Sequence, residues 1–206
     1  MKSEKHNIYY TYNPSYLLSM NLLSTIIYFA WFLSEILLHR ILRGTGADDR
    51  KKQDQGSLAF IWIVIIVFIN ISVIVAAKTS YYILPGPDMN RIGLSVILLG
   101  MVLRFVAIAQ LGRLFTVNVT IRKDHHIKKD GLYSILRHPS YAGSLLSFLG
   151  FGLSLNSWLG LAIVFIPVFA AFVYRMNVEE KVLRSQFGEE YTNYMKRTSR
   201  IIPWIY

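Results

Sequence analysis

The chain contains no cysteine. That absence excludes a disulfide framework, thiolate chemistry and a zinc–sulfur centre, and it removes redox usage as a guide to compartment. Charge is scarce too: 17% of the 206 residues are charged, where a soluble domain carries about 25%. There is no Walker-type loop and no GxGxxG. The five histidines contain no HExxH, and the carboxylates do not fall into a metal-ligand pattern. No nucleic-acid or metal partner is expected from such a chain. Repeats of 20–50 residues and low-complexity linkers are also missing, so a single domain over residues 1–206 is the expected organisation.

Apolar residues are plentiful. They make up 53% of the chain, the mean hydropathy is +0.39, and the excess comes in blocks. Leu58–Ala77 runs without a charge for about 20 residues, enough to cross a bilayer core. The expectation is an all-α integral membrane protein with about five transmembrane helices. The N-terminal MKSEKHNIYYTYNPSY is polar for too long to be a signal-peptide n-region.

The first apolar run, Tyr16–Leu38, carries Ser24, Ser34 and Glu35 and is expected to pack against other helices. The second span is Leu58–Ala77, followed by the turn Pro85-Gly86-Pro87-Asp88. The third, Ile92–Leu111, places Gly93, Gly100 and Ala107 on one face suited to close backbone approach. Arg104 lies on the same stripe, where a charge must face the bundle interior and find a partner. Glu35 is the expected partner, in a structural ion pair or a substrate-binding role. These spans make residues 16–111 an N-terminal half, and 112–206 carries the remaining features. Within the polar loop 112–138, Phe115–Ile121 is strand-like in composition.

Two short apolar helices follow, Pro139–Leu155 and Trp158–Tyr174, joined by Asn156–Ser157. So short a connection forces an antiparallel hairpin and brings His138 and Arg175 to one level. Gly143, Ser147, Gly150 and Ser154 form a small-residue seam on the first of the two. Beyond Arg175 the pattern becomes amphipathic, with Val178, Val182, Leu183, Phe187, Tyr191, Tyr194 and Met195 in one stripe. A C-terminal amphipathic helix is expected there, along the foot of the bundle or the membrane surface, bent at Gly188.

Five spans place seventeen Lys and Arg residues at the end holding the long loop and C-terminus, and four at the other. The asymmetry predicts a cytosolic long loop and C-terminus and an N-terminus outside. At that cytosolic edge Gly131–Gly143 reads GLYSILRHPSYAG. Proline at 139 excludes α conformation at His138 yet suits the first turn of a helix, so Arg137 and His138 stand at a helix entrance suited to an anionic group. His125, His126, Tyr133, Tyr141, Arg175, Glu179 and Glu180 gather at the same edge. Singly, each has a plainer reading: loop surface for the histidines, a lipid anchor for Arg137, a solvated face for the glutamates, interfacial aromatics for the tyrosines.

The segment HHIKKDGLYSILRHPSYAG, with RMNVEEKVLRSQFGEEYTNYMKR about 35 residues later, resembles the isoprenylcysteine carboxyl methyltransferase family. The likeness extends to the family's broader relatives, which include phospholipid methyltransferases. It rests on G-x-Y-x-x-x-R-H-P-x-Y-x-G, a Glu-Glu pair and F-G-x-E-Y-x-x-Y, and covers roughly Phe115–Pro203. The resemblance implies S-adenosyl-L-methionine as methyl donor, held by a cytosolic loop and the ends of the last two spans. Carried over, the cofactor contacts are Asn118, His125, His126, Ile127, Lys128, Tyr133, His138, Pro139, Ser140, Tyr141, Glu179 and Glu180. Arg175 takes the position that meets the acceptor's carboxylate. Lys128 departs from the family pattern, which usually has an apolar residue there, and the N-terminal half matches nothing specific.

The chemistry is in-line displacement at a sulfonium. An ionised carboxylate attacks without a general base, so the protein must hold both reactants close and exclude water. The implied partner is a lipophilic substrate entering sideways from the bilayer. Other readings stand beside this one: a phospholipid-amine methyltransferase, an NADPH-dependent membrane sterol-type reductase, and a non-enzymatic subunit binding anionic lipid. The reductases share R-H-P-x-Y-x-G but place an acid directly after the glycine, where this chain has Ser144.

Overall fold

A computed structural model describes residues 22–41, 56–85, 88–112 and 127–206. The helices are α1 (Leu22–Ile41), α2 (Ser57–Lys78), α3 (Asp88–Leu111), α4 (Pro139–Ser154), α5 (Trp158–Phe187) and α6 (Glu189–Met195). A 3-10 turn at Gly131–Ser134 precedes α4. The described residues contain no strand, only a single parallel bridge between Leu136 and Ser199. Three of these helices, α2, α3 and α5, are long and apolar enough to cross a membrane, and Leu22–Leu38 is a shorter apolar helix. On α2, Ile63, Ile66 and Ile74 are exposed while Ile61, Val64 and Ile65 are buried. Apolar exposure on that scale suits lipid rather than water.

The expected element order is present, with shifted ends. Residues 16–21 of the first expected span lie outside the described residues, and α1 continues past Leu38 to Ile41. Helix α3 starts at Asp88 rather than Ile92; an acidic residue in the first turn favours helix there. The strand-like Phe115–Ile121 stretch falls outside the described residues. After Arg175 the chain extends α5, which runs for 30 residues. Gly188, at φ 54°, ends it and starts α6. The left-handed region suits glycine, which has no Cβ to clash there. Pro167 sits inside α5 without ending it.

Helices α3 and α4 pack through backbone. A Cβ on Gly93 would fall 2.6 Å from the Gly150 carbonyl oxygen, and one on Gly100 2.6 Å from that of Gly143. The two small-residue stripes are therefore faces of a single interface. Their short side chains also leave α4 with low apolar bulk, and it is buried on most sides between its neighbours. Trp31, Phe148, Phe151 and Phe172 centre the core, with Trp31 and Phe148 edge to face at 5.0 Å.

The α4–α5 hairpin turns at Asn156, at φ 49°. Its side chain accepts from Ile83 N and Leu84 N and donates to the Leu84 carbonyl. Ser157 caps α5 by accepting from Gly160 N. The α2–α3 connection and the hairpin turn thus share one end of the bundle. Pro139, α6 and the C-terminal segment stand at the other.

Candidate active site

Proline sets the site's first feature. His138 is extended enough (φ −126°, ψ 56°) to let Pro139 open α4, and its own carbonyl accepts from Tyr141 N and Ala142 N. The imidazole stacks on the Tyr141 ring, 5.4 Å between centroids and 7° from parallel. From the facing helix, Glu179 Oε2 accepts the Tyr141 hydroxyl at 2.7 Å. Arg175, one turn earlier on α5, is 2% exposed. Its Nη1 donates to Ser57 Oγ at 2.5 Å and its Nε to Tyr141 Oη at 3.4 Å. The hairpin does bring His138 and Arg175 level, because Arg175 lies part-way along the longer α5 and reaches Tyr141, which stacks on His138.

The third charged feature arrives from the N-terminal half. Arg104 Nη2 lies 2.8 Å from Glu35 Oε2. Nη1 of the same residue donates to Ser144 Oγ, and at 3.3 Å to the Ser140 carbonyl and Ser140 Oγ. The expected pairing of Glu35 with Arg104 is present, and it reaches the first turn of α4.

These groups line a cavity of about 130 Å³ with two unlike parts. One end is polar: Glu35, Arg104, Tyr133, Arg137, His138, Ser140, Tyr141, Arg175 and Glu179. The other is an apolar arm between α1 and α2, closed inward by Phe148 and Phe172 and flanked by Trp31, Phe32, Ile61, Trp62, Ile65 and Ile69. Phe32 and Trp62 meet edge to face at 6.3 Å across the two helices.

Of the residues nominated from sequence, Tyr133, His138, Ser140, Tyr141, Arg175 and Glu179 line this cavity together, while Pro139 is buried behind Ser140. Asn118, His125 and His126 lie outside the described residues. Ile127 and Lys128 are not in the cavity wall, and the Lys128 ammonium bonds Asp130 at 2.9 Å. Glu180 stands behind the wall, fully buried, where it accepts from Arg137, His138 and Arg200. The wall also contains residues with no motif to mark them. Leu58, Phe148 and Phe172 are ordinary membrane-helix residues whose roles depend on what packs opposite, and Ser57 and Ser144, outside the wall, hold Arg175 and Arg104.

The loop before α4 is held by tyrosines. Tyr133 donates to the Ala107 carbonyl, and Tyr194 donates to the Tyr133 carbonyl at 2.7 Å. Burial pushes both phenols up, reinforced at Tyr133 by the Glu179 charge and opposed at Tyr194 by Arg137. Both stay protonated donors at any physiological pH.

A phospholipid methyltransferase family model matches residues 89–190. An Arabidopsis thaliana protein named protein-S-isoprenylcysteine O-methyltransferase B is 34% identical over 119 residues, spanning 57% of this chain and 60% of that one. The Saccharomyces cerevisiae protein-S-isoprenylcysteine O-methyltransferase is 35% identical over 130 residues, 62% of this chain and 54% of its own length. The solved structure of the eukaryotic intramembrane Ras methyltransferase ICMT superposes with a TM-score of 0.56 at 28% identity, covering 71% of this chain and 52% of that one. These matches support the isoprenylcysteine carboxyl methyltransferase family as the one this chain resembles. The chain spans about half to three-fifths of the length of these relatives. The shared part includes α3, the loop, α4 and α5. The family motifs are therefore the ones that build the polar end, whereas α1 and α2 build most of the apolar arm.

Proposed function

We propose that this membrane-embedded protein transfers a methyl group from S-adenosyl-L-methionine to the carboxylate of a lipophilic acceptor such as an isoprenylcysteine. The observation that carries the reading is the continuity of the cavity. A charged end lined for a donor and an acceptor head group is continuous with an apolar arm lined for a lipid chain.

The polar end suits a zwitterionic donor. Glu179 keeps Oε1 without a hydrogen bond among the described residues and so suits a cationic group, and the first turn of α4 favours an anionic one. Bound there, the donor supplies an electrophilic methyl on sulfur. Arg175 holds the acceptor carboxylate, through the paired donors that make guanidinium suited to it. His138, Tyr141 and Glu179 hold the donor's head, and Phe148 and Phe172 keep water from the reacting atoms. No group on the chain needs to remove a proton from an ionised acceptor.

Along with α2, α3 and α5, α1 and α4 are read as membrane helices, with the polar end and C-terminus cytosolic and the N-terminus outside. The lipophilic acceptor enters from the bilayer between α1 and α2, past Phe32 and Trp62. A second reading, an amine acceptor on a phospholipid, draws support from Glu35 in the cavity wall and from the phospholipid methyltransferase model. No finding favours the reductase. The deciding experiment is labelled methyl transfer in membranes containing the protein, offering a farnesyl-cysteine analogue and phosphatidylethanolamine in parallel. Carboxyl methylation of the first supports the proposal. Label on the second alone transfers the assignment to the amine acceptor, and label on neither removes both.

A further inference from the structure

Glu180 sits next to the cavity residue Glu179 but does not share its surroundings. Its side chain is fully buried and is met by three side chains from two segments. Arg137 Nε donates to Oε1 at 3.0 Å from the loop before α4. Arg200 Nη2 donates to Oε2 at 2.7 Å from the C-terminal segment. His138 Nε2 lies 3.2 Å from Oε1. Two arginines on one carboxylate keep it ionised, and an ionised carboxylate only accepts hydrogen bonds. The proton of this contact must therefore sit on His138 Nε2. A neutral ring protonated there has a bare lone pair at Nδ1, because the bond made by one ring nitrogen sets the state of the other.

The other nitrogen points somewhere useful. Nδ1 lies 3.9 Å from Glu179 Oε2, beyond hydrogen-bond reach, and both residues line the cavity. The ring cannot turn away, since it stacks on Tyr141 and is 5% exposed. Its backbone is fixed as well. His138 N donates to the Arg200 carbonyl, Arg137 N to the Ser199 carbonyl, and Ser199 N to the Ile135 carbonyl. The segment that delivers Arg200 to Glu180 thus also clamps the main chain at His138. Arg200 is itself held by Asn177 Oδ1 at 2.9 Å and by the Tyr206 hydroxyl oxygen at 2.7 Å.

We propose that Glu180 and Arg200 are positioning residues that lock His138 with Nε2 protonated, so that Nδ1 stands beside Glu179 as a hydrogen-bond acceptor for an ammonium or N–H group in the cavity. The lock itself is a property of the protein alone. That the N–H belongs to the methyl donor rests on the methyl-transfer reading.

Both parts can be tested on the full chain in lipid nanodiscs. In protein labelled with 15N-histidine, with His138→Gln assigning the signal, the native ring should read as protonated at Nε2 and bare at Nδ1. The opposite tautomer, or a doubly protonated ring, overturns the lock whatever the protein binds. In Arg200→Ala the His138 signal should move, and S-adenosylhomocysteine should bind about tenfold more weakly, the loss of one charge-assisted contact's organising effect. The acceptor's KM should stay put, and Arg200→Lys should restore most of the affinity. A variant that keeps native donor affinity, or loses acceptor and donor affinity equally, overturns the positioning role. Glu180→Gln supplies a second arm, expected to release the tautomer itself. Failure of the native protein to bind S-adenosylhomocysteine would sink the methyl-transfer reading while leaving the tautomer result to stand or fall independently.

Discussion

Glu179 and Glu180 show what a motif conveys about a residue and what it leaves out. The Glu-Glu pair marks both positions, but consecutive helical residues point about 100° apart. One carboxylate can therefore line the cavity while the next is buried among Arg137, His138 and Arg200. Which does which depends on the C-terminal segment that supplies Arg200, and no spacing rule reveals that. Arg175 was legible from the hairpin, and its role is open to a direct test. Arg175→Ala should raise the acceptor's KM about 10–100-fold, the equivalent of a lost charge-assisted contact of ~1.5–3 kcal/mol, with the donor's KM much less affected. Arg175→Lys should recover only part, because one ammonium cannot reproduce a planar fork. Initial-rate kinetics varying each substrate separates these outcomes. Glu35 and Arg104 test burial instead. Glu35→Ala leaves a half-buried guanidinium unpaired and should destabilise by about 3–5 kcal/mol, whereas Glu35→Leu combined with Arg104→Met should return most of that loss. Thermal unfolding in detergent of the parent, Glu35→Leu, Arg104→Met and their double variant forms the cycle, and additive losses would mean that the 2.8 Å contact carries no coupling.

At the scale of elements, periodicity and punctuation did most of the work. The two-residue gap at Asn156–Ser157, the small-residue stripes and the Pro139 entrance are all local in sequence, and each has its expected counterpart. The stripes could be recognised separately but not paired. That Gly93 meets Gly150 and Gly100 meets Gly143 follows from α3 and α4 running antiparallel, a fact of tertiary packing. The continuation of α5 past Arg175 was harder to see, because an amphipathic stretch following an apolar one reads as a new element when it is only the same helix continuing. The α3–α4 interface should be the least forgiving place in the fold. A Cβ at Gly93 would lie 2.3 Å from Ser154 N, which is backbone and cannot step aside, whereas at Gly160 the nearest atom is the Ala76 methyl at 3.2 Å. Gly93→Ala should therefore cost about 1–3 kcal/mol by forcing the helices apart. Gly160→Ala, at the first turn of α5, should cost a fraction of that. Chemical denaturation in mixed micelles ranks the two, and equal losses would show that close backbone approach is not what holds α3 to α4.

For the molecule as a whole, the sequence carries orientation in its loops while the fold carries it in its ends. The α2–α3 connection and the hairpin turn are tied to each other by Asn156, and the polar end of the cavity lies at the far end of the same helices, beside α6 and the C-terminal segment. The lysine and arginine asymmetry predicts which compartment each end faces, since basic residues resist translocation. That assignment decides whether the cavity faces the compartment where a methyl donor is made. A chain without cysteine is suited to the measurement, because one introduced thiol is the only one to react. Ser80→Cys lies in the exposed α2–α3 connection and Lys181→Cys on the exposed face of α5 near the polar end. In intact cells a membrane-impermeant maleimide should label Ser80→Cys and leave Lys181→Cys untouched until the membrane is opened. The reverse pattern would put the polar end outside and contradict the charge asymmetry, and with it the cytosolic supply of donor. Labelling of both in intact cells would mean the two ends share a side, which helices α2 and α5 cannot allow if they span the bilayer.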